Sequence, residues 1–354
     1  MKLGESGRYQ VIDKLGDGTF GRVLACKDRA LGIRVAVKVI RDVKRYVENA
    51  RVEARILDKV NEIRRLSGDR SGARGIVRLF DTFMHASRFC LSFECLGKTL
   101  FEVVQMNNHA GFYEFDIQQI SRELLETIEF LHSRCGLTHT DIKLENIMLC
   151  GTSFLTTCAP LRTGRAGTNY MRPKLLGEES FGRHRSIRLI DFGNGVFRNE
   201  HHSTTINTRQ YRSPEVILEQ GWDEKSDMWS IGCVIAEMWT GELLFPTHAN
   251  LEHLAMIERV TETPLGPETL RSASPEIRRR YADCNNMLNW PQGCDSRESF
   301  LRVNDCMPLR CMFDRNLAEL VSKLLRVDPR RRYSGHRALQ CEYFDAQLPF
   351  SDFK

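Results

Sequence analysis

Several features are scarce or absent in this chain of 354 residues. No apolar run approaches the roughly 20 residues that a membrane-spanning helix needs, so no membrane partner is expected. The opening MKLGESGRYQ lacks the apolar core of a secretory leader, and position 2 is Lys, not the Gly that N-myristoylation requires. The 12 cysteines form no CxxC pair and no Cys/His cluster with zinc spacing, which argues against a zinc module or a dithiol redox site. Reduced thiols in the nucleus or cytoplasm are the expectation, most of them small core residues. A strong charge of one sign is also missing. The net charge of +5 allows an acidic partner without demanding one. No internal repeat or low-complexity tract is visible.

What is present is a folding composition, 42% apolar and 27% charged. The length exceeds the usual size of one hydrophobic core, so two lobes or two domains are expected. Arg8 to Leu15, Gly21 to Lys27 and Ile33 to Ile40 read as short strands separated by glycine-containing turns. Val52, Ile56, Val60 and Ile63 recur at helical steps, and Val77–Phe83 and Phe89–Phe93 read as two more strands. Beyond Glu94 to Lys98 the pattern turns helical. Ile117, Ile120, Leu124, Ile128 and Leu131 make one stripe; Ile231, Ile235 and Met238 make another, stopping at Thr240–Gly241 as at a C-cap. The reading is a small β-rich lobe, a hinge and a larger α-rich lobe, with a cleft between them as a ligand site.

Residues Gly16-Asp17-Gly18-Thr19-Phe20-Gly21 form a GxGxxG run. Alone it is weak, and an ordinary glycine-rich turn is its plain reading. A dinucleotide-binding loop is a rival, but that loop must open a helix. Here Arg22-Val23-Leu24-Ala25-Cys26 continues as a strand, and Asp42, at about the right distance, stands on the wrong kind of element. A glycine hairpin suits a nucleotide in another way, because without Cβ atoms its backbone N–H groups can approach phosphate oxygens. Val23 would cover the adenine. Lys38, in Val35-Ala36-Val37-Lys38, is either a surface stem along the sheet or an ammonium aimed at phosphates, with Glu53 as its anionic partner.

The most informative stretch is His139-Thr140-Asp141-Ile142-Lys143-Leu144-Glu145-Asn146, followed by Ile190-Asp191-Phe192-Gly193. Phosphoryl transfer needs an aligned hydroxyl, a base for its proton, and cations to offset phosphate charge. Asp141 would take the proton and Lys143 would screen the γ-phosphate. Asn146 and Asp191 offer hard oxygen ligands, which suit Mg²⁺. Any one of these residues could be an ordinary turn Asp or Asn, but their order and spacing match the protein-kinase signature.

On these motifs the chain resembles the eukaryotic protein kinases from about Tyr9 to Phe344. Ser213-Pro214-Glu215 is similar to the APE motif, and Asp227 looks like the aspartate that braces the catalytic loop. Asp328-Pro329-Arg330-Arg331-Arg332 looks like the late segment whose last Arg pairs with Glu215. The resemblance implies a regulatory stack that includes Leu57, His139 and Phe192. Glu252-His253-Leu254-Ala255-Met256-Ile257-Glu258-Arg259 differs at one position, Ile257, from the EHLAMMER signature of the LAMMER, or CDC-like (CLK), kinases of the CMGC group. Its plain reading is an amphipathic helix with a structural role. His139-Thr140-Asp141 and the segment from His201 to Arg212 also resemble that family. DYRK-type kinases carry a Tyr early in this segment, whereas none stands between Asp191 and Gln210.

The resemblance implies an α+β, bilobal kinase fold. The expected division is a tail over 1–8, an N-lobe over 9–93, a hinge over 94–98, a C-lobe over 99–344 and a tail over 345–354. It implies ATP and Mg²⁺ as cofactors. The nucleotide would lie among Leu15, Gly16, Asp17, Gly18, Thr19, Phe20, Gly21, Arg22, Val23, Ala36, Lys38, Glu53, Phe93 as gatekeeper, Glu94 and Leu96. Protein substrates are expected, Arg/Ser-rich or otherwise basic as in splicing factors, with no direct nucleic acid and a monomeric catalytic domain. Phosphorylation of Ser/Thr is expected, with Tyr autophosphorylation as in some members, and a cell-division or kinetochore role is an alternative. A pseudokinase scaffold is the reading from another class, and intact Lys38, Glu53, Asp141, Asn146 and Asp191 oppose it.

Three departures carry expectations. Thr140 stands where many kinases have an Arg held by an activation-loop phosphate, so activity without that phosphate is expected. Ser203 and Thr208 are candidate autophosphorylation sites. The insertion over 150–187 holds Arg162, Arg165, Arg172, Lys174, Arg183 and Arg185 against Glu178 and Glu179. It reads as a solvated, mobile loop or, more sharply, as a docking patch for an acidic or phosphorylated partner. Cys95 in the hinge is a passive residue or, if its sulfur faces the cleft, a target for electrophiles.

Overall fold

Alternating apolar residues in the first 94 positions build one antiparallel sheet. The computed structural model describes residues 1–67, 72–160, 162, 169–176 and 185–349. The sheet strands are β1 (Lys2–Leu3), β2 (Tyr9–Asp17), β3 (Gly21–Asp28), β4 (Arg34–Ile40), β5 (Leu79–His85) and β6 (Arg88–Glu94), in the order β1-β2-β3-β4-β6-β5. Successive side chains point to opposite faces. Tyr9, Cys26, Val35, Val37 and Cys90 make a small outer cluster, while Ala36, Ile40, Leu91 and Phe93 join the main core beneath. Helix α1 (Lys44–Ser67) presses Ala50, Ile56, Leu57 and Val60 into that core, at the three- and four-residue spacing of one helix face.

Residues 1–8 are not a loose tail. Lys2 and Leu3 pair with Gln10 and Tyr9 as an edge strand, and Leu3 is fully buried. Arg8 holds Asp28 and Asp81 at 2.8 Å each.

The second lobe is helical: α2 (Leu100–Met106), α3 (Glu114–Phe130), α4 (Pro214–Ile217), α5 (Lys225–Thr240), α6 (Asn250–Thr261), α7 (Pro267–Arg271), α8 (Pro275–Tyr281), α9 (Arg297–Asp305), α10 (Leu309–Met312), α11 (Arg315–Leu324) and α12 (Gly335–Ala338). Short strands β7 (Leu137–Thr138) and β8 (Ile147–Leu149) flank the catalytic loop. Gly241 ends α5 at φ 81°, and a Cβ there would meet the His109 carbonyl oxygen at 2.1 Å, so the expected cap is real. Helix α6 carries the octapeptide, but it is not amphipathic. Glu252 to Ile257 are six successive buried residues, and Arg302 reaches in to Glu252 at 2.5 Å.

The insertion is built into this lobe where it is described. β9 (Phe154–Cys158) and β10 (Asn169–Pro173) form an antiparallel hairpin. Arg172 pairs with the buried Asp116 at 2.6 Å. Arg162 donates to the Phe112 and Trp239 carbonyls and lies 4.0 Å above the Trp239 ring, and Arg185 pairs with Glu126. These three cations hold the insertion to the lobe and are not displayed as a docking patch. The described part is no solvated loop either. Arg165, Glu178, Glu179 and Arg183 lie outside the described residues. Two further strands, β11 (Ile187–Leu189) and β12 (Val196–Phe197), pair with β8 and β7 and bracket Asp191.

Candidate active site

The glycine run turns the hairpin between β2 and β3, as its strand-like sequel requires. Its glycines serve different ends. A Cβ on Gly21 would meet the Val39 carbonyl oxygen at 2.1 Å, so Gly21 is demanded by strand packing. Gly16 and Gly18 have no neighbouring chain within van der Waals contact of a Cβ, save the Gly21 oxygen 3.9 Å from Gly18. Their bareness leaves the backbone open to a ligand. The Phe20 ring meets Tyr46 of α1 edge-on at 5.1 Å. Leu15 and Thr19 are exposed on the same hairpin.

Strand alternation sorts the other residues. Val23, Ala36, Lys38 and Phe93 lie on the cleft side with the main core, and Ala36 sits opposite Phe93 in the β4–β6 register. Leu96 packs half-buried against the core. Arg22 is a correction. Its side chain projects from the outer face, pairs with Asp17 at 3.3 Å and lines a groove with Arg41 and Arg88. The Asp17 carboxylate is likewise turned outward, held by Lys14, Arg22 and Arg41. Glu94 points away from the sheet to accept from the Arg78 amide at 2.8 Å and Arg188 at 3.2 Å. Cys95 is half-buried against the core and its thiol is pushed up by burial, which suits the passive reading.

Lys38 Nζ lies 2.8 Å from Glu53 Oε2, both largely enclosed. Burial pulls the ammonium down, yet Glu53 and Asp191 outweigh it, so Lys38 stays charged above its ordinary value. One pocket is lined by Phe20, Lys38, Glu53, Asp191 and Gly193. Asp191 stands in the left-handed region at φ 64°, rare for a residue with a Cβ. No hydrogen bond or ion pair among the described residues uses its carboxylate.

The catalytic loop hangs from Asp227, which is fully buried. Its carboxylate accepts from the amides of His139 at 2.8 Å and Thr140 at 2.9 Å, with His132 Nε2 at 2.9 Å. That fixes Thr140 at φ 68°. The His139 ring meets Phe192 at 4.9 Å, and Leu57, His139 and Phe192 are all buried as a stack requires. Asp141 then receives four groups: the Thr208 hydroxyl at 2.7 Å, the Thr208 backbone amide at 3.2 Å, Lys143 Nζ at 2.9 Å and the Asn146 side-chain amide at 3.2 Å. Burial acts to raise Asp141, but Thr208 and Lys143 hold it below the ordinary carboxylate value. Asn146 Oδ1 and the Asp191 carboxylate are the hard oxygens left to a divalent ion. Two protein ligands fit a magnesium ion that completes its shell with water and phosphate.

A model of the protein kinase domain matches residues 9–344. The chain is 37% identical to the human dual specificity protein kinase CLK2 over 344 residues, 95% of this chain and 64% of that protein. It is 37% identical to the Arabidopsis thaliana serine/threonine-protein kinase AFC3, 95% of this chain and 82% of that one. A crystal structure of the PF14_0431 kinase domain superposes with a TM-score of 0.86 at 37% identity, covering 97% of this chain and 96% of the other. The chain belongs to the protein kinase family, in its LAMMER, or CDC-like, branch. It spans about two thirds of the length of CLK2, slightly under that fraction.

The rest of the kinase core follows the family pattern. Arg332, itself buried, grips both Glu215 oxygens at 2.7 and 2.8 Å. Sequence reasoning missed one pair. Tyr211, three residues past Thr208, donates to Glu237 Oε2 at 2.5 Å; burial raises the pKa of both, and Glu145, four residues past Asp141, adds to each. Glu145 Oε2 is buried with no hydrogen-bond partner. No motif announces this pair; only a buried acid on α5, read against the catalytic loop, could have suggested it.

Proposed function

We propose that this protein transfers the γ-phosphoryl group of ATP, bound with Mg²⁺, to serine and threonine hydroxyls in basic, Arg/Ser-rich protein segments. The observation that carries the transfer is the grouping around Asp141: a carboxylate kept ionised, with a hydroxyl already donating to it and Lys143 alongside. A substrate hydroxyl in place of Thr208 would give its proton to Asp141 as its oxygen bonds to phosphorus and the bond to the β-phosphate oxygen breaks. Lys38, fixed by Glu53, would hold the nucleotide phosphates. The metal, held by Asn146 and Asp191, would neutralise phosphate charge.

The basic-substrate part rests on Glu145 and Glu237. Two acids with no ion-pair partner among the described residues, one four residues past Asp141 and the other tied to Tyr211, suit a guanidinium from the substrate. All 12 cysteines are free, which suits a domain at work in the nucleus or cytoplasm. The test is a radiolabelled ATP assay on an Arg-Ser repeat peptide. Asp141→Asn should lower turnover by roughly 100-fold or more. Equal turnover by both proteins would overturn the reading.

A further inference from the structure

Thr140 removes the arginine through which an activation-loop phosphate commonly orders a kinase, yet α1 is seated and Lys38 meets Glu53 at 2.8 Å. Something else must hold α1 against the segment after Asp191. Part of the tie is backbone and hydroxyl. The Thr140 Oγ1 donates to the Asn194 carbonyl at 2.8 Å, and β12 pairs with β7 just ahead of the catalytic loop.

The rest comes from α1 itself. Arg55, two residues past Glu53, reaches Glu200 Oε1 at 3.1 Å. The other oxygen of Glu200 accepts from the Phe197 amide at 3.2 Å, and the Glu200 amide donates back to the Phe197 carbonyl at 2.9 Å. One carboxylate thus joins α1 to the turn that closes β12. One helical turn on, Lys59 Nζ lies 4.3 Å from the centre of the Phe197 ring. Ile56, between them, approaches Gly195 so closely that a Cβ there would sit 3.1 Å from its Cδ1. Arg55, Ile56 and Lys59 therefore grip residues 195–200 while Glu53, on the same helix, holds Lys38.

The geometry points to Arg55 and Glu200 as positioning residues that take the place of an activation-loop phosphate: their ion pair keeps α1 docked so that Glu53 orients Lys38. Neither lines the pocket of Lys38, Glu53 and Asp191. The inference rests on the phosphoryl-transfer reading above. The Arg55 side chain is 60% exposed and that of Glu200 32%, so the pair is modest and salt-sensitive, and either can be reversed without threatening the fold.

The experiment uses dephosphorylated full-length protein and an Arg-Ser repeat peptide with radiolabelled ATP. Arg55→Glu and Glu200→Arg should each lower kcat by roughly threefold or more, the upper range for an exposed pair plus the new repulsion, with melting temperature unchanged. The effect should lie in kcat and in KM for ATP, not in KM for peptide. The double variant R55E/E200R should recover a clear part of the kcat lost by the worse single variant, because the ion pair is restored with its polarity reversed while the Phe197 amide loses its carboxylate acceptor. Glu200→Gln should show a smaller loss, and raising salt should slow wild type but not Glu200→Gln. Unchanged kcat in both single reversals, or a double variant no better than the worse single, would sink the inference while leaving the transfer reading intact. An inactive wild type would sink the transfer reading first.

Discussion

Tyr211 donates its hydroxyl to Glu237 Oε2 at 2.5 Å, so the residue that follows the activation segment's Thr208 by three is tied to a buried acid of α5. Burial first, then the nearby Glu145 and Glu242, pushes Glu237 up to about 7, against the Tyr211 hydrogen bond. An acid raised this far is short of a positive partner.

That shortage is testable. The double variant Glu145→Gln with Glu237→Gln should raise KM for an Arg-containing peptide by roughly tenfold or more, with kcat nearly unchanged, since a charge-assisted hydrogen bond to the substrate is lost. KM for the basic peptide should also fall as pH rises through about 7, where Glu237 ionises, and Glu237→Gln should flatten that slope. Stability has the opposite sign. A carboxyl raised in the folded state from 4.5 to about 7 adds stability below 4.5 that is lost as pH rises through 7. Denaturant melts across that window should therefore fall more steeply for wild type than for Glu237→Gln. Identical peptide kinetics in the double variant would end the basic-substrate proposal.

The glycine hairpin allows a sharper separation of folding from binding. Gly21→Ala should destabilise the fold by roughly 1–3 kcal/mol, because its Cβ would collide with the Val39 carbonyl oxygen at 2.1 Å. Gly16→Ala meets nothing within 4 Å and should melt as wild type does. If the bare backbone serves phosphate, Gly16→Ala should nonetheless raise KM for ATP. Thermal melts beside nucleotide titrations decide it; an unaltered KM would mean that this glycine has no part in binding.

The Thr140 hydroxyl, bonded to the Asn194 carbonyl, offers no charge for a phosphate to grip. Phosphatase treatment of the protein should leave activity within roughly tenfold of its starting value. A larger loss would show that a phosphate on Ser203, Thr208 or elsewhere is required.

The motifs legible in the sequence were those whose members lie close along the chain. Asp141, Lys143 and Asn146 sit within six residues of one another, and the tight loop suspended from Asp227 brings them together whatever surrounds it. Strand alternation and helical stripes likewise gave β2 to β6 and α3 near their true limits, because burial of one face imposes its period directly on the residues, whereas α1 and α5 begin several residues before their stripes and β1 was read as tail. Where alternation was not applied residue by residue, the reading slipped: Arg22 neighbours Val23 in sequence but faces the opposite side of the sheet.

The tertiary structure alone decided those pairings between distant segments that no family motif supplies. Arg162, Arg172 and Arg185 of the insertion looked like display until Asp116, Glu126 and the carbonyls of Phe112 and Trp239 were found beneath them. The LAMMER-type helix looked two-faced until neighbouring elements were seen to enclose both faces. Glu145 with Glu237, and Arg55 with Glu200, carry no local pattern at all. A charge's meaning depends on what faces it across space, and a one-dimensional pattern records only what precedes and follows it. The chemistry of phosphoryl transfer was thus written in short runs of sequence, whereas the packing of Glu145 with Glu237 and of Arg55 with Glu200 was visible only in three dimensions.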